Sequence, residues 1–322
     1  MKLHPQAAFP ILQVRADNTP NSDKRIRDIN SVVDKYGHAI TEPDQHPELI
    51  ALEGNPNLSF EHYGEFWRKV HGPRVAYAGG KDYMCSGVSE YYQVQRVSAA
   101  PSSAFPPPYS PLVDEYGELY DFIYDKVPAY HRPAFDGLVY WAAPTKKKLE
   151  PVGTSNHATQ KIGHEGELFT RGSAASLCAE YIIIPCTSAS LPPVCTVKIH
   201  YRKSGTQQEF QHKLLHSHCD IIAQGTEAQK HIKRFAYLFN INRDPNELFY
   251  SEAGVQIDAI SVTYFKDMGD CEAYYSSEEY QKIQALEDKF LDTERSEWWT
   301  GIVYPIIVTP DLDVTDRNLS VK

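Results

Sequence analysis

Two helical stripes set 147 residues apart constrain this chain more than any other feature. Tyr63, Trp67 and His71 are each four residues apart, so on a helix they lie one above the other on a single face. Phe210, Leu214 and His218 repeat that spacing, and both stripes end in a histidine eight residues after an aromatic side chain. The patterns around them also recur. The first set reads as a strand at 48–52, a helix at 60–71 ended by Gly72-Pro73, strands at 91–97 and 135–142, a short helix at 165–169 and a strand at 179–185. The second reads as strand 194–202, helix 206–218, strands 235–240 and 256–265, helix 277–290 and strand 301–308. Strand-helix-strand-strand-helix-strand is the split βαβ order. The spacing therefore predicts an α+β chain of two ferredoxin-like βαββαβ units, at 46–187 and 194–310. Between them, residues 187–193 (TSASLPP) have linker composition. Residues 1–45 read as an N-terminal extension with a strand-like stretch at 9–14 and a short helix near 26–36, and 311–322 as a tail.

One stretch breaks the pattern. Residues 100–133 are rich in proline and tyrosine and include Phe105-Pro106-Pro107-Pro108-Tyr109. A loop this long inside a compact unit is usually a cover for a site, a binding loop or disordered. It is expected here to be a mobile cover over a pocket.

Several function classes are excluded by composition. A net charge of -10 with a pI near 5.7 leaves no basic stripe for nucleic acid. No apolar run approaches the roughly 18–20 residues that span a bilayer, and the first residues lack the pattern of a signal peptide. None of the six cysteines stands in a C-x-x-C pair, so the thiols are expected to be reduced and the protein cytoplasmic. Glycine motifs for phosphates or dinucleotides and the G-x-S-x-G elbow are both missing. His216 and His218, two apart on a helix, point to different sides and make no metal site. Lys146-Lys147-Lys148 reads as a solvated turn. The 21 Tyr, 13 Phe and 4 Trp instead suit a pocket for flat organic molecules.

Residues 58–73, Leu-Ser-Phe-Glu-His-Tyr-Gly-Glu-Phe-Trp-Arg-Lys-Val-His-Gly-Pro, resemble the signature helix of the EthD-domain family: an aromatic residue, an aromatic pair ending in Trp, then His, a small residue and Pro. The second copy shares Phe210, Leu214 and His218 but has neither the Trp nor the Pro. The resemblance implies a dimeric α/β barrel, in which two sheets pack face to face with helices outside. Two chains usually supply the sheets; here one chain could supply both. A monomer is then possible and a homodimer is not excluded. Relatives of the fold include cofactor-free monooxygenases, muconolactone isomerases and fungal polyketide dehydratases or decarboxylases, so no cofactor or metal is expected.

His71 and His218 are the candidate catalytic residues, since a histidine exchanges protons near neutral pH. At a helix C-terminus each would also feel the negative end of the dipole, which favours the protonated form. The alternative is a structural histidine bonding terminal carbonyls. Tyr63, Trp67, Tyr92 and His131 are the candidate substrate-binding residues. For Trp67 the alternative is core packing, and for His131, just after the long loop, a solvated position. Tyr91 and Tyr92 should project to opposite faces of a strand, one of them into the barrel. The sequence reads best as a cofactor-free enzyme moving protons on a phenolic or polyketide-like molecule, as a dehydratase, isomerase or lyase. A non-catalytic module binding a small molecule or a protein, and a cofactor-free monooxygenase, are the other two readings. Because the first copy keeps Tyr63, Trp67 and Pro73, it is expected to hold the chemistry and the second to act as scaffold.

Overall fold

The computed structural model of the chain describes residues 48–54, 60–78, 87–96, 135–143, 146–155, 162–186, 191–241 and 244–308. The proposed cover at 100–133, His131, and the extension and tail at 1–45 and 311–322 lie outside the described residues.

The first unit runs β1 (Glu48–Gly54), α1 (Phe60–Phe66), a π turn (Trp67–His71), α2 (Gly72–Ala78), β2 (Glu90–Arg96), β3 (Gly137–Ala142), α3 (Lys146–Thr154), α4 (Gly163–Phe169) and β4 (Thr170–Ile184). The second runs β5 (Val194–His200), α5 (Gln207–Lys213), a π turn (Leu214–His218), α6 (Cys219–Gln224), α7 (Thr226–His231), β6 (Ile232–Asn240), α8 (Glu252–Gln256), β7 (Ala259–Phe265), α9 (Met268–Tyr275), α10 (Glu278–Glu287) and β8 (Glu297–Val308). Each unit thus keeps the βαββαβ order, with extra short helices.

The strands are antiparallel and close into one barrel in the order β1-β3-β2-β8-β5-β7-β6-β4. Two seams join the units: β2 pairs with β8, Gln93 opposite Tyr304, and β4 pairs with β6, Tyr181 opposite Tyr237. Strand alternation sorts the apolar residues into three cores. The barrel lumen holds Tyr92, Val94, Leu138, Tyr140, Cys195, Val197, Leu238, Val262, Tyr264 and Trp299. Tyr63, Trp67, Tyr91, Val139, Trp141 and Phe169 fill the layer between the first sheet and its helices. The corresponding layer of the second unit holds Phe210, Leu214, Phe235, Tyr237, Tyr280 and Trp298. No helix among the described residues is long and apolar enough to cross a membrane.

Three local expectations are corrected. Gly72-Pro73 does not end the first helix, which continues to Ala78. Trp67 to His71 form a π turn closed by the Gly72 N–H donating to the Trp67 carbonyl, so the α-helical ladder is already broken where Pro73 lacks its N–H. The second helix likewise passes through a π turn at Leu214–His218 and ends only at Gly225. Neither His71 nor His218 therefore stands at a helix C-terminus, and the dipole argument does not apply to them. Finally, Lys146-Lys147-Lys148 opens helix α3 rather than forming a turn.

Candidate functional site

Both stripes face their sheets. Tyr63 and Trp67 are 1% exposed and His71 8%, while Phe210, Leu214 and His218 are buried to a similar degree. In each unit the histidine is the last residue of the π turn and meets a glutamate from the unit's second helical region. The wider turn swings the helix face so that the histidine looks across the layer; π turns inside helices are frequent at functional sites.

In the first unit, His71 Nδ1 lies 3.3 Å from the Glu165 carboxylate, whose other oxygen accepts from the Arg74 guanidinium. The neighbouring His71 is the largest influence on Glu165; with Arg74 it outweighs burial and holds the carboxyl below its ordinary range. The Phe169 ring sits 4.9 Å from the His71 ring and 6.0 Å from that of Tyr63, which is 5.6 Å from Trp67. Burial, reinforced by Asp136, pushes the Tyr63 hydroxyl well above its usual value, so it stays a neutral phenol. The 3.3 Å approach of His71 Nδ1 to Glu165 is a charge contact without hydrogen-bond geometry, for Nδ1 is buried and has no hydrogen-bond partner among the described residues. This imidazole faces a carboxylate through Nδ1, and neither of its ring nitrogens is tied by a hydrogen bond to a described residue.

The second unit is closed. His218 Nε2 lies 2.7 Å from Glu287, and Nδ1 bonds the Tyr237 hydroxyl. Glu287 also accepts two bonds from Lys198 Nζ, at 2.8 and 3.0 Å, and that ammonium sits over the rings of Tyr280 and Trp298. Burial opposes ionisation of Glu287, but Lys198 and His218 prevail and keep it a carboxylate. His200 bonds Ser261 at 2.8 Å, and burial pushes its pKa down to about 3. His218 has both ring nitrogens engaged and 3% exposure, so no atom of it is left for a ligand.

Register explains the difference. Gln93 pairs with Val139, which pairs with Ile50; Tyr237 pairs with Ser261, which pairs with Lys198. Val139 and Ser261 each precede their next helix by the same interval, so the two rungs correspond. Where the second unit places Tyr237 against its histidine, the first places Gln93. Opposite the first strands stand Ala175 and Trp298.

Of the expected substrate-binding residues, Tyr63 and Trp67 are brought beside His71. Tyr92 is not: it faces the lumen, 6.0 Å from Tyr140, while Tyr91 faces the helices and stacks on Trp141 at 4.0 Å. One of the two tyrosines does enter the barrel. Sequence reasoning missed Glu165 and Glu287, which no motif marks, though each stands in a segment expected to be helical. It also missed a charged pair inside the lumen: Arg234 donates to Glu180 at 2.7 Å, and Glu180 accepts from Tyr140 at 2.9 Å. Among the described residues no group of three or more His, Cys, Asp or Glu could hold a metal ion.

No curated protein matches the chain's sequence. Solved structures similar in chain trace include a candidate monooxygenase from Lactobacillus acidophilus NCFM (8% identity, covering 82% of this chain and 97% of that one, TM-score 0.44). An anthrone oxidase-like protein is similar at 10% identity, 83% and 94% coverage and TM-score 0.48. Chlorite dismutase from Candidatus Nitrospira defluvii is similar at 11% identity, 87% and 96% coverage and TM-score 0.39. Residues 202–294 match the sequence model of the EthD domain. That segment lies in the second unit, whereas the motif that first suggests the family, at 58–73, lies in the first. The EthD match is thus confined to residues 202–294 of this single-chain barrel.

Proposed function

We propose that the first unit is a proton-transfer site in which His71 acts as general base and then general acid on a small, flat, enolisable molecule, as in a dehydratase, isomerase or lyase. The observation that carries this reading is the contrast within one molecule: no described residue hydrogen-bonds the His71 ring, whereas His218 has both nitrogens tied. A base needs a free lone pair within reach of its substrate, and an orienting carboxylate on the other nitrogen fixes the tautomer. The Glu165 carboxylate, 3.3 Å from Nδ1, favours a proton on that nitrogen and so leaves the lone pair on Nε2. That nitrogen takes a proton from an acidic C–H or O–H of the substrate. Glu165, held ionised, then faces an imidazolium and stabilises it until the proton returns to another substrate atom. Tyr63, Trp67 and Phe169 supply the dry aromatic wall in which such a charge pair counts for most. The second unit, with its histidine locked, serves as scaffold. The ligand class, an aromatic or polyketide-like molecule, and a cytoplasmic monomer belong to the same proposal.

The test is solvent deuterium exchange into a panel of enolisable aryl ketones, followed by NMR. His71→Ala should slow exchange by about 10²–10⁴-fold. His218→Ala should leave exchange within a few-fold in the folded protein. Loss of exchange in His218→Ala with His71→Ala unaffected would reverse the assignment.

A further inference from the structure

The layer beneath the first π turn contains polar atoms that no described residue satisfies. Gln93 is fully buried, and its amide Nε2 donates to the Trp67 carbonyl at 3.1 Å and to the Tyr91 hydroxyl at 2.8 Å. Those two contacts fix the amide. Turning it over would set its oxygen against the Trp67 carbonyl, acceptor against acceptor. The oxygen, Oε1, is thereby aimed away from both, and among the described residues it has no hydrogen-bond partner. The Trp67 indole Nε1–H, 1% exposed as a residue, has none either. An acceptor and a donor are thus buried without a partner among the described residues, on two residues joined by the Gln93–Trp67 hydrogen bond, in the layer that also holds His71. Gln93 also lies against the π turn's far end, since a Cβ added to Gly72 would come 3.0 Å from its Nε2. Around His218, by contrast, both ring nitrogens are bonded, one to Tyr237 and one to Glu287, and Glu287 also accepts from Lys198.

A buried polar group left unmade is expensive, and in native proteins such a group is usually completed by a water or a ligand. We propose that Gln93 is a binding and specificity-determining residue of the His71 site. Its Oε1 accepts a hydrogen bond from a hydroxyl of the ligand, and Trp67 Nε1 donates to a carbonyl oxygen of the same molecule. The ligand is therefore a flat compound that carries both a free hydroxyl and a carbonyl, and an ether in place of the hydroxyl is rejected. This rests on the reading of His71 as the functional histidine, yet it concerns recognition and not proton transfer. The two therefore fail separately.

The experiment measures equilibrium binding to the full chain by calorimetry, with three probes: para-hydroxyacetophenone, para-methoxyacetophenone and acetophenone. The wild-type protein should bind the hydroxy ketone at least 10-fold more tightly than the methoxy ketone, because a site built to bond a hydroxyl discriminates strongly against its loss. Gln93→Leu should reduce that ratio to within about 2-fold while leaving acetophenone affinity nearly unchanged. Gln93→Glu, with a similar shape and an acceptor kept, should retain the preference and serves if the leucine variant does not fold. His71→Ala should slow proton exchange yet keep the hydroxyl preference. Three outcomes would overturn the proposal: no saturable binding of the hydroxy ketone to wild type, equal affinity for hydroxy and methoxy probes, or an undiminished preference in folded Gln93→Leu. Any of them means that the vacancies hold water only.

Discussion

His200 shows how a single buried residue ties this protein to pH. It is 1% exposed and bonded to Ser261, and burial sets its folded pKa at about 3 against an ordinary value of 6.5; Glu287 pulls it up, while Lys198 and His218 reinforce the burial. The unfolded chain therefore binds a proton at His200 between about pH 6.5 and 3 that the folded chain refuses. Its contribution to stability is full above the unfolded pKa and falls as the pH drops through that window. His200→Gln, able to keep a bond to Ser261 without titrating, should flatten the acid limb of the curve of Tm against pH; an unchanged slope would place the acid sensitivity elsewhere. Glu165 acts in the same direction. Its depressed folded pKa stabilises the protein above the ordinary carboxylate range, and that contribution is lost as the carboxylate is protonated on further acidification. Sequence alone identified His71, Tyr63 and Trp67 as neighbours because one helix face places them together. Glu165 and Gln93 were not legible, because their positions depend on packing between helices and sheet that no local period records. The placement of Tyr92 was half legible: alternation separated it from Tyr91 but could not say which faced the helices.

Among the elements, the two π turns are a feature that both units share. They interrupt both long helices at matching positions and deliver His71 and His218 to the sheet. The first depends on a close approach to β3. A Cβ at Gly137 would overlap the Trp67 ring, with Cη2 at 2.6 Å, and come 2.9 Å from the Tyr63 hydroxyl oxygen. Both rings are nearly fully buried and have little room to yield, so Gly137→Ala should destabilise the fold by about 1–3 kcal/mol, read from urea unfolding. It should also displace Trp67 enough to shift its fluorescence; a variant as stable as wild type would mean that β3 or the helix can move aside. The strands were legible in order because alternating apolar residues mark them, and several second-unit helices announced their starts. Thr206 and Glu209 form a capping box and Ser277 caps its own helix, whereas α9, capped by Asp267, was not anticipated. The helix ends were not legible. Gly72-Pro73 is a strong stop signal by local rules, but the π turn had already dispensed with the missing bond, and Val75 and Ala76 gain burial by continuing the helix.

On the scale of the whole molecule, the decisive fact is that one chain supplies both sheets and closes the barrel through the β2–β8 and β4–β6 seams. No sheet edge is left open in the barrel, so the full chain should sediment as a folded monomer at low concentration. The lumen makes the two halves unequal partners. Arg234 of the second unit is 2% exposed, lies over the Tyr264 ring and meets its counter-ion, Glu180, on the first unit. Separated from residues 48–186, the second unit would present an apolar face of Cys195, Val197, Leu238, Val262 and Trp299 to water. A second copy could cover that face, but the Glu180 carboxylate would be missing. Burying an uncompensated guanidinium is strongly destabilising, about 3–5 kcal/mol where one partner of a buried pair is removed. The fragment 191–308 expressed alone should therefore be aggregated or loosely folded. Carrying Arg234→Met, it should instead form a dimer through the freed face, as the hydrophobic residue no longer needs a counter-ion. Size-exclusion chromatography with light scattering distinguishes these states. A soluble, well-folded monomer of the unaltered fragment would show that the lumen contacts between units contribute little, and that the two halves merely share a chain.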